Sequence, residues 1–109
     1  MTKKMIKVIA DTARKIAEQY NPYKEKAIKY YIDNEPMYIW AGTHYTETEI
    51  LEAYIETATK DMTRGYEERM VGYYDKWYRY NHSDEGRAYD TGQRMATENP
   101  KCAENCIIY

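Results

Sequence analysis

Tyr73-Tyr74-Asp75-Lys76-Trp77-Tyr78-Arg79-Tyr80 holds six aromatic rings in eight residues, counting both rings of the indole. Rings of this kind, with guanidinium groups nearby, suit two tasks. They can anchor a protein interface, where tyrosine, tryptophan and arginine concentrate the binding energy. They can also stack on bases while arginines hold phosphate. Wound as a helix, Tyr73, Trp77 and Tyr80 would form one stripe, with Tyr74 and Tyr78 forming a second. A chain this small has difficulty burying both stripes, so one is expected to meet another molecule. The partner-binding set read from the sequence is therefore Glu67, Glu68, Arg69, Tyr73, Tyr74, Trp77, Tyr78, Arg79 and Tyr80. A nucleotide or cyclic signal molecule is the alternative ligand, with Arg87, Tyr89 and Arg94 as the residues that would enclose it.

Other chemistries find less support. Gly86 and Gly92 lie in Glu85-Gly86-Arg87-Ala88-Tyr89-Asp90-Thr91-Gly92, which lacks a phosphate-loop lysine arrangement. Two histidines and two cysteines could close a tetrahedral zinc shell, but His44 and His82 sit in unrelated segments and Cys102 and Cys106 are spaced four apart. No metal and no cofactor is expected. Ser83 is the sole serine, beside His82 and with no oxyanion motif after it, and reads as a helix cap. Paired acids such as Asp84-Glu85 suit solvated faces and caps. The chain is expected to be non-catalytic.

Composition agrees with a binding role. Tyrosine occurs fourteen times in 109 residues and phenylalanine never, so nearly every aromatic group that enters the core brings a hydroxyl needing a partner. The net charge is -2, unsuited to a dedicated DNA binder, whose affinity rests on a basic footprint. That charge is unevenly spread. Residues 1–31 hold eight Lys/Arg and three Asp/Glu, whereas residues 32–68 hold two and nine. The basic first third is expected to lie against the acidic middle third. No apolar run approaches the roughly 20 residues of a membrane span, so no membrane partner is expected, and the two cysteines do not make a secreted disulfide framework. A cytoplasmic protein follows, in a host cell if the chain is phage-encoded.

The elements that would position these residues are mostly helical. Ile6, Ile9, Ala13, Ile16, Ala17 and Tyr20 recur at helical spacing and predict a helix over 3–20. Asn21-Pro22 is a stop followed by a cap, and a second helix is predicted over 22–33, ended by Asn34-Glu35-Pro36. Residues 37–45 break the period around an Ala-Gly turn and predict a short hairpin or extended segment. Thr46 and Glu49 match a capping box. From Leu51 an apolar stripe runs without a missed step to Tyr80, which predicts one long helix with Gly65 as its weakest point. A last helix is predicted over 84–97. The reading is a mainly all-α fold: a small single-domain bundle over 1–109, with one long helix, a short extended or β-hairpin segment near 37–45 and a tendency to self-associate. Its expected function is to inhibit or modulate a macromolecular partner, plausibly as a phage or mobile-element inhibitor of a CRISPR-like host defence or a nucleic-acid enzyme. An accessory oligomeric subunit is a further alternative.

Overall fold

The computed structural model describes residues 2–75 and 83–98. Among these the chain is mostly helical, as expected, and the expected short hairpin is part of a three-stranded antiparallel sheet, which makes the fold a mixture of helix and sheet. The elements are α1 (Lys3–Gln19), α2 (Pro22–Lys26), β1 (Ile28–Ile32), β2 (Glu35–Trp40), β3 (Thr43–Thr46), α3 (Glu47–Met70) and α4 (Ser83–Thr97).

Helix α1 starts where Thr2 accepts a hydrogen bond from the Met5 amide, and it buries Ile9, Ala13 and Ala17 on one face. Asn21 then caps α2, accepting from the amides of Tyr23 and Lys24 while its own side-chain amide donates to the Ile50 carbonyl on α3. A buried asparagine is tolerable here because both ends of its amide are bonded.

The predicted second helix stops after one turn. Ile28-Lys29-Tyr30-Tyr31-Ile32 is a strand, as its β-branched and aromatic composition favours, and it pairs with β2 in the register Ile28↔Ile39 to Ile32↔Glu35. What turns the chain is Asp33-Asn34, with φ of 49° and 66°; two consecutive left-handed residues make the two-residue turn whose twist suits a hairpin. Asp and Asn accept that conformation more readily than most side chains. The Asn34-Glu35-Pro36 segment is thus not a helix stop but the start of β2. Ala41-Gly42, with φ of 52° and 78°, repeats the device and places β3 beside β2, which meets the expected hairpin over 37–45. Trp40 anchors the sheet by stacking on Tyr23 at 5.1 Å, and Tyr23 meets the edge of Tyr54 at 5.3 Å.

Helix α3 opens with the predicted capping box: Thr46 accepts from the Glu49 amide and Glu49 accepts from the Thr46 amide. Its end differs from the prediction. The Tyr73 amide donates to the Glu68 carbonyl and the Gly72 amide to the Arg69 carbonyl, with Gly72 at φ 83°. This is the Schellman closure, in which a left-handed glycine lets the chain satisfy the last carbonyls and leave. The apolar period therefore runs on past a helix that has already ended at Met70, and Tyr73, Tyr74 and Asp75 are not helical. Trp77, Tyr78, Arg79 and Tyr80 lie outside the described residues, as do His82, Cys102 and Cys106.

Gly65 does not break α3. An added Cβ would stand 2.1 Å from the Tyr89 carbonyl oxygen of α4, and one on Gly92 would stand 2.0 Å from the Met62 carbonyl oxygen of α3. The two helices cross backbone to backbone at reciprocal glycines. Around that crossing Ala58, Met62, Tyr66, Ala88 and Ala96 join Ile9, Ala13, Ala17, Tyr54 and Ile55 in one core. The basic first third does meet the acidic middle third, through Arg14 with Glu52 and Lys24 with Glu47.

Replacing Gly65 or Gly92 by alanine should test this crossing. Alanine gains about 1 kcal/mol of helix propensity, but backbone oxygens cannot swing aside, so a net loss of about 1–3 kcal/mol is expected. The melting temperature should fall by roughly 5 °C or more for each variant. Gly42, which has nothing within 4 Å of an added Cβ, is the control for left-handed strain alone. Unchanged melting of the Gly65 variant would disprove the close approach.

Candidate functional site

Where α3 ends against the middle of α4, a buried polar network forms around Tyr89. This tyrosine is fully buried. Its hydroxyl donates to Glu68 Oε1 at 2.6 Å and accepts from the Asp75 amide at 2.8 Å and from Gln93 Nε2 at 3.3 Å. The hydroxyl proton and one lone pair are fully used, and the Gln93 amide, whose two hydrogens also serve two carbonyls, shares one with the other lone pair. Arg64 lies over the ring, 5.6 Å from its centroid, and binds Glu68 through Nε at 2.9 Å and Asp75 through its terminal nitrogen at 2.6 Å. Bonding to Glu68, outweighing the cost of burial, holds the Arg64 guanidinium even more firmly protonated than usual. Burial, and then the bond to Glu68, push the Tyr89 hydroxyl well above the ordinary tyrosine range.

Gln93, one helical turn beyond Tyr89, completes the network. Its Nε2 donates to the Gly65 carbonyl at 2.9 Å and the Tyr73 carbonyl at 3.0 Å. Tyr74 donates to Asp90 Oδ1 at 3.1 Å. Three side chains of α4 therefore hold the backbone or side chains of residues 73–75. The segment leaving α3 is fastened in place, and on it stand two apolar side chains in solvent: Val71 is 77% exposed and Tyr73 51%.

The residues expected from the sequence divide accordingly. Glu67 is exposed and sits one turn before Val71; Tyr73 is exposed; Arg69 and Tyr74 are half-buried. Glu68 is not a surface contact but the acceptor that holds Arg64 and Tyr89. Tyr89 is no ligand-stacking ring either, since it is wholly enclosed between helices. Arg87 is exposed on another flank, beside a small cavity lined by Ile16, Tyr54 and Ala88. Arg94 does meet Arg69, Tyr74, Asp90, Gln93 and Thr97 around an open cleft of about 280 Å³. Gln93 and Arg64 were not singled out by sequence. The signal for Gln93 was its position: Ala88, Tyr89, Gly92 and Ala96 already mark the buried stripe of α4, and Gln93 falls within it.

A second polar cluster joins the sheet to α3. Glu47 accepts from Lys24 and from the Tyr38 hydroxyl. The bond from Lys24, followed by that from Tyr38, draws the Glu47 carboxyl below its usual range. Lys29 reaches over the rings of Tyr31 and Tyr38. This cluster fastens β2 to the first turn of α3, so it reads as architecture. His44 hydrogen-bonds the Tyr30 hydroxyl through Nδ1 at 2.7 Å. No group of three potential metal ligands occurs among the described residues, and no described helix is long and apolar enough to cross a membrane. No family model, curated protein or solved structure matches the chain.

The network makes a prediction about alkaline stability. Folded Tyr89 keeps its proton at a pH where the unfolded chain, with tyrosines near pH 10, gives it up. Its contribution is therefore fully present below about pH 10 and is lost as the pH rises from there towards the folded value. Tyr89→Phe should cost about 1–3 kcal/mol at pH 7, because the Asp75 amide and Glu68 lose a buried partner. Above pH 10 the variant should lose stability more gently than the parent, by up to about 1.4 kcal/mol per pH unit. Urea midpoints of both proteins between pH 7 and pH 11 measure this; parallel curves would refute it.

Proposed function

We propose that this chain is a small non-catalytic binding protein that works by occupying the surface of a protein partner, with the turn after α3 as its contact point. The observation that carries the reading is the combination of exposed Val71 and Tyr73 with a backbone fastened by Gln93, Tyr89 and the Schellman closure. An apolar anchor on a pre-ordered backbone loses little entropy when it docks, which is the economy that hot-spot residues exploit. Exposed Glu67 and the nearby Arg69 and Arg94 supply a polar rim of both signs. Of the aromatic run read from the sequence, Tyr73 and Tyr74 belong to this turn, and Trp77, Tyr78, Arg79 and Tyr80 lie outside the described residues.

The partner we assign is a host defence or nucleic-acid complex of the CRISPR type, with the chain acting as an inhibitor carried by a phage or mobile element. Small size, tyrosine in place of phenylalanine and a polarised charge support that assignment. The chain works in the cytoplasm and as an oligomer on this reading.

A second reading rests on the cleft between Arg69, Tyr74, Asp90, Gln93, Arg94 and Thr97. Gln93 Oε1 is buried beside it with no hydrogen-bond partner among the described residues, an acceptor that a ligand amino group could satisfy. Two arginines at the rim suit a phosphate. On this reading the chain sequesters a nucleotide or cyclic nucleotide.

Interference assays separate the two. In cells carrying a CRISPR-type system aimed at a plasmid, expression of the chain should restore plasmid transformation. The combined Val71→Ser and Tyr73→Ala variant should lose at least about tenfold of that protection while its helical circular dichroism is unchanged. Full protection by the variant would reject the docking turn, and no protection by the parent would reject the inhibitor role. A rise in melting temperature with a nucleotide, abolished by Arg94→Ala, would instead establish the second reading.

A further inference from the structure

Strand β1 is an open edge with an apolar surface. Ile28 is 66% exposed, Tyr31 62% and Ile32 52%, and among the described residues β2 is the strand that pairs it. The two-residue turn at Asp33-Asn34 makes Ile32↔Glu35 a hydrogen-bonded pair, so Tyr30↔Met37 and Ile28↔Ile39 are hydrogen-bonded as well. Lys29 and Tyr31 therefore direct their amides and carbonyls away from β2, towards solvent. An edge of this kind is a template for another strand.

The geometry points to a second copy of this chain as that strand, joined antiparallel about a twofold axis at Tyr30. In this register Lys29 lies opposite the partner's Tyr31, and Tyr31 opposite the partner's Lys29. Both are pairs of outward-facing backbone groups, so each exchanges two hydrogen bonds. Ile28 falls opposite the partner's Ile32 on the other face, and Tyr30 opposite the partner's Tyr30. All five residues of β1 are used. Shifting the axis to Lys29 would set lysine directly against lysine, a destabilising pair. Shifting it to Tyr31 would put Ile28 against the turn residue Asn34 of the partner, where the strand has ended. The sequence Ile-Lys-Tyr-Tyr-Ile is thus self-complementary in one register, as an isologous interface requires.

Lys29 would ordinarily guard an edge against such pairing. Here its ammonium is laid over the rings of Tyr31 and Tyr38, 5.4 Å and 5.8 Å from their centroids, and the hydrogen bond with Tyr31, followed by the charge interaction with Tyr31 and Tyr38, holds it more firmly protonated. The lysine lies over the tyrosine face of the sheet and leaves the edge backbone clear. Because Lys29 and Tyr31 are exposed on that face, no described element stands where the second sheet would continue. The product is a six-stranded sheet with Ile28, Ile32, Met37 and Ile39 of each copy on its outer surface. Five-residue pairing buries less than the roughly 1,600 Å² of a standard interface, so the dimer dissociates in the micromolar range. Sheet and docking turn lie at opposite ends of α3, and the dimer would display two copies of the turn, a bivalent arrangement. The pairing stands or falls independently of what the turn binds.

Sedimentation of the full chain tests both the surface and the register. The parent should sediment as a dimer at high-micromolar concentration. Ile28→Lys combined with Ile32→Lys sets like charges opposite one another across the axis and should weaken association at least tenfold. Ile28→Lys combined with Ile32→Glu sets opposite charges in those same positions and should restore the dimer, now sensitive to salt. Tyr31→Pro removes one outward amide while sparing the β1–β2 ladder and should also yield monomer. A parent that stays monomeric overturns the inference and leaves the edge to a strand of another protein. A dimer indifferent to both charge pairs overturns the surface, and failure of the Lys/Glu pair to restore association overturns the register.

Discussion

The approach of α3 and α4 at Gly65 and Gly92 governs the far end of the molecule. Each glycine admits the other helix's carbonyl to a distance at which any side chain would collide, and that proximity brings the α4 side chains within hydrogen-bonding reach of α3's backbone. Gln93 can bond the Gly65 carbonyl, which α3's own ladder already uses, only because the helices lie this close. Tyr89 reaches Glu68 for the same reason. Without the crossing there would be no network, and without the network the chain after Met70 would have no side chains of α4 to fasten it.

An aromatic set of fourteen tyrosines with no phenylalanine shapes how this core is built. Tyr89, Tyr38 and Tyr23 each sink a ring among apolar neighbours and place a hydroxyl on a specific acceptor: Glu68, Glu47 and Thr57. Each such bond contributes modestly in itself but is costly to leave unmade, so the hydroxyls choose among packings that phenylalanine would leave equivalent. Two of the acceptors are carboxylates that also bind a cation, Arg64 on one side and Lys24 on the other. The same motif of tyrosine, carboxylate and cation thus locks α3 to its neighbour at both ends: to the sheet through Glu47 and to α4 through Glu68.

What the sequence disclosed followed from local chemistry. The Thr46 and Glu49 box, the Asn21-Pro22 cap and the stripe of α1 are signals complete within a few residues; the two caps stand in the structure, and the stripe holds through Ile9, Ala13, Ile16 and Ala17 while Ile6 and Tyr20 at its ends are exposed. The failures came where a periodic pattern outran the element that produced it. Ile28, Tyr31 and Ile32 fit a helical face as well as a strand, and what decided between them was a turn at Asp33-Asn34 whose left-handed residues carry no glycine to announce it. The stripe through Tyr73 kept helical spacing beyond Gly72, although Gly72 had already closed α3. Apolar spacing alone does not mark where a helix ends, and Tyr73, on the stripe by spacing, stands in solvent.

The candidate site shows a related limit. Glu67 and Tyr73 stand in solvent, whereas Glu68, next to Glu67 in sequence, is half-buried and turns its carboxylate to Arg64 and Tyr89. Helical geometry separates them by about 100° per residue, so adjacency in sequence places Glu67 and Glu68 on different faces. Tyr89 and Gln93 are the inverse case: their polar atoms suggest a surface, while Gly92 between them is the residue that admits α3. A polar side chain next to a glycine at a helix crossing is positioned to reach the neighbouring backbone, and Gln93 does so at both Gly65 and Tyr73. Recognising that role from sequence requires knowing that the glycine faces another helix, which is tertiary information. Tyr73 is legible in the sequence as exposed aromatic chemistry, but Val71 beside it is not, and the bonds that fasten the turn come from α4.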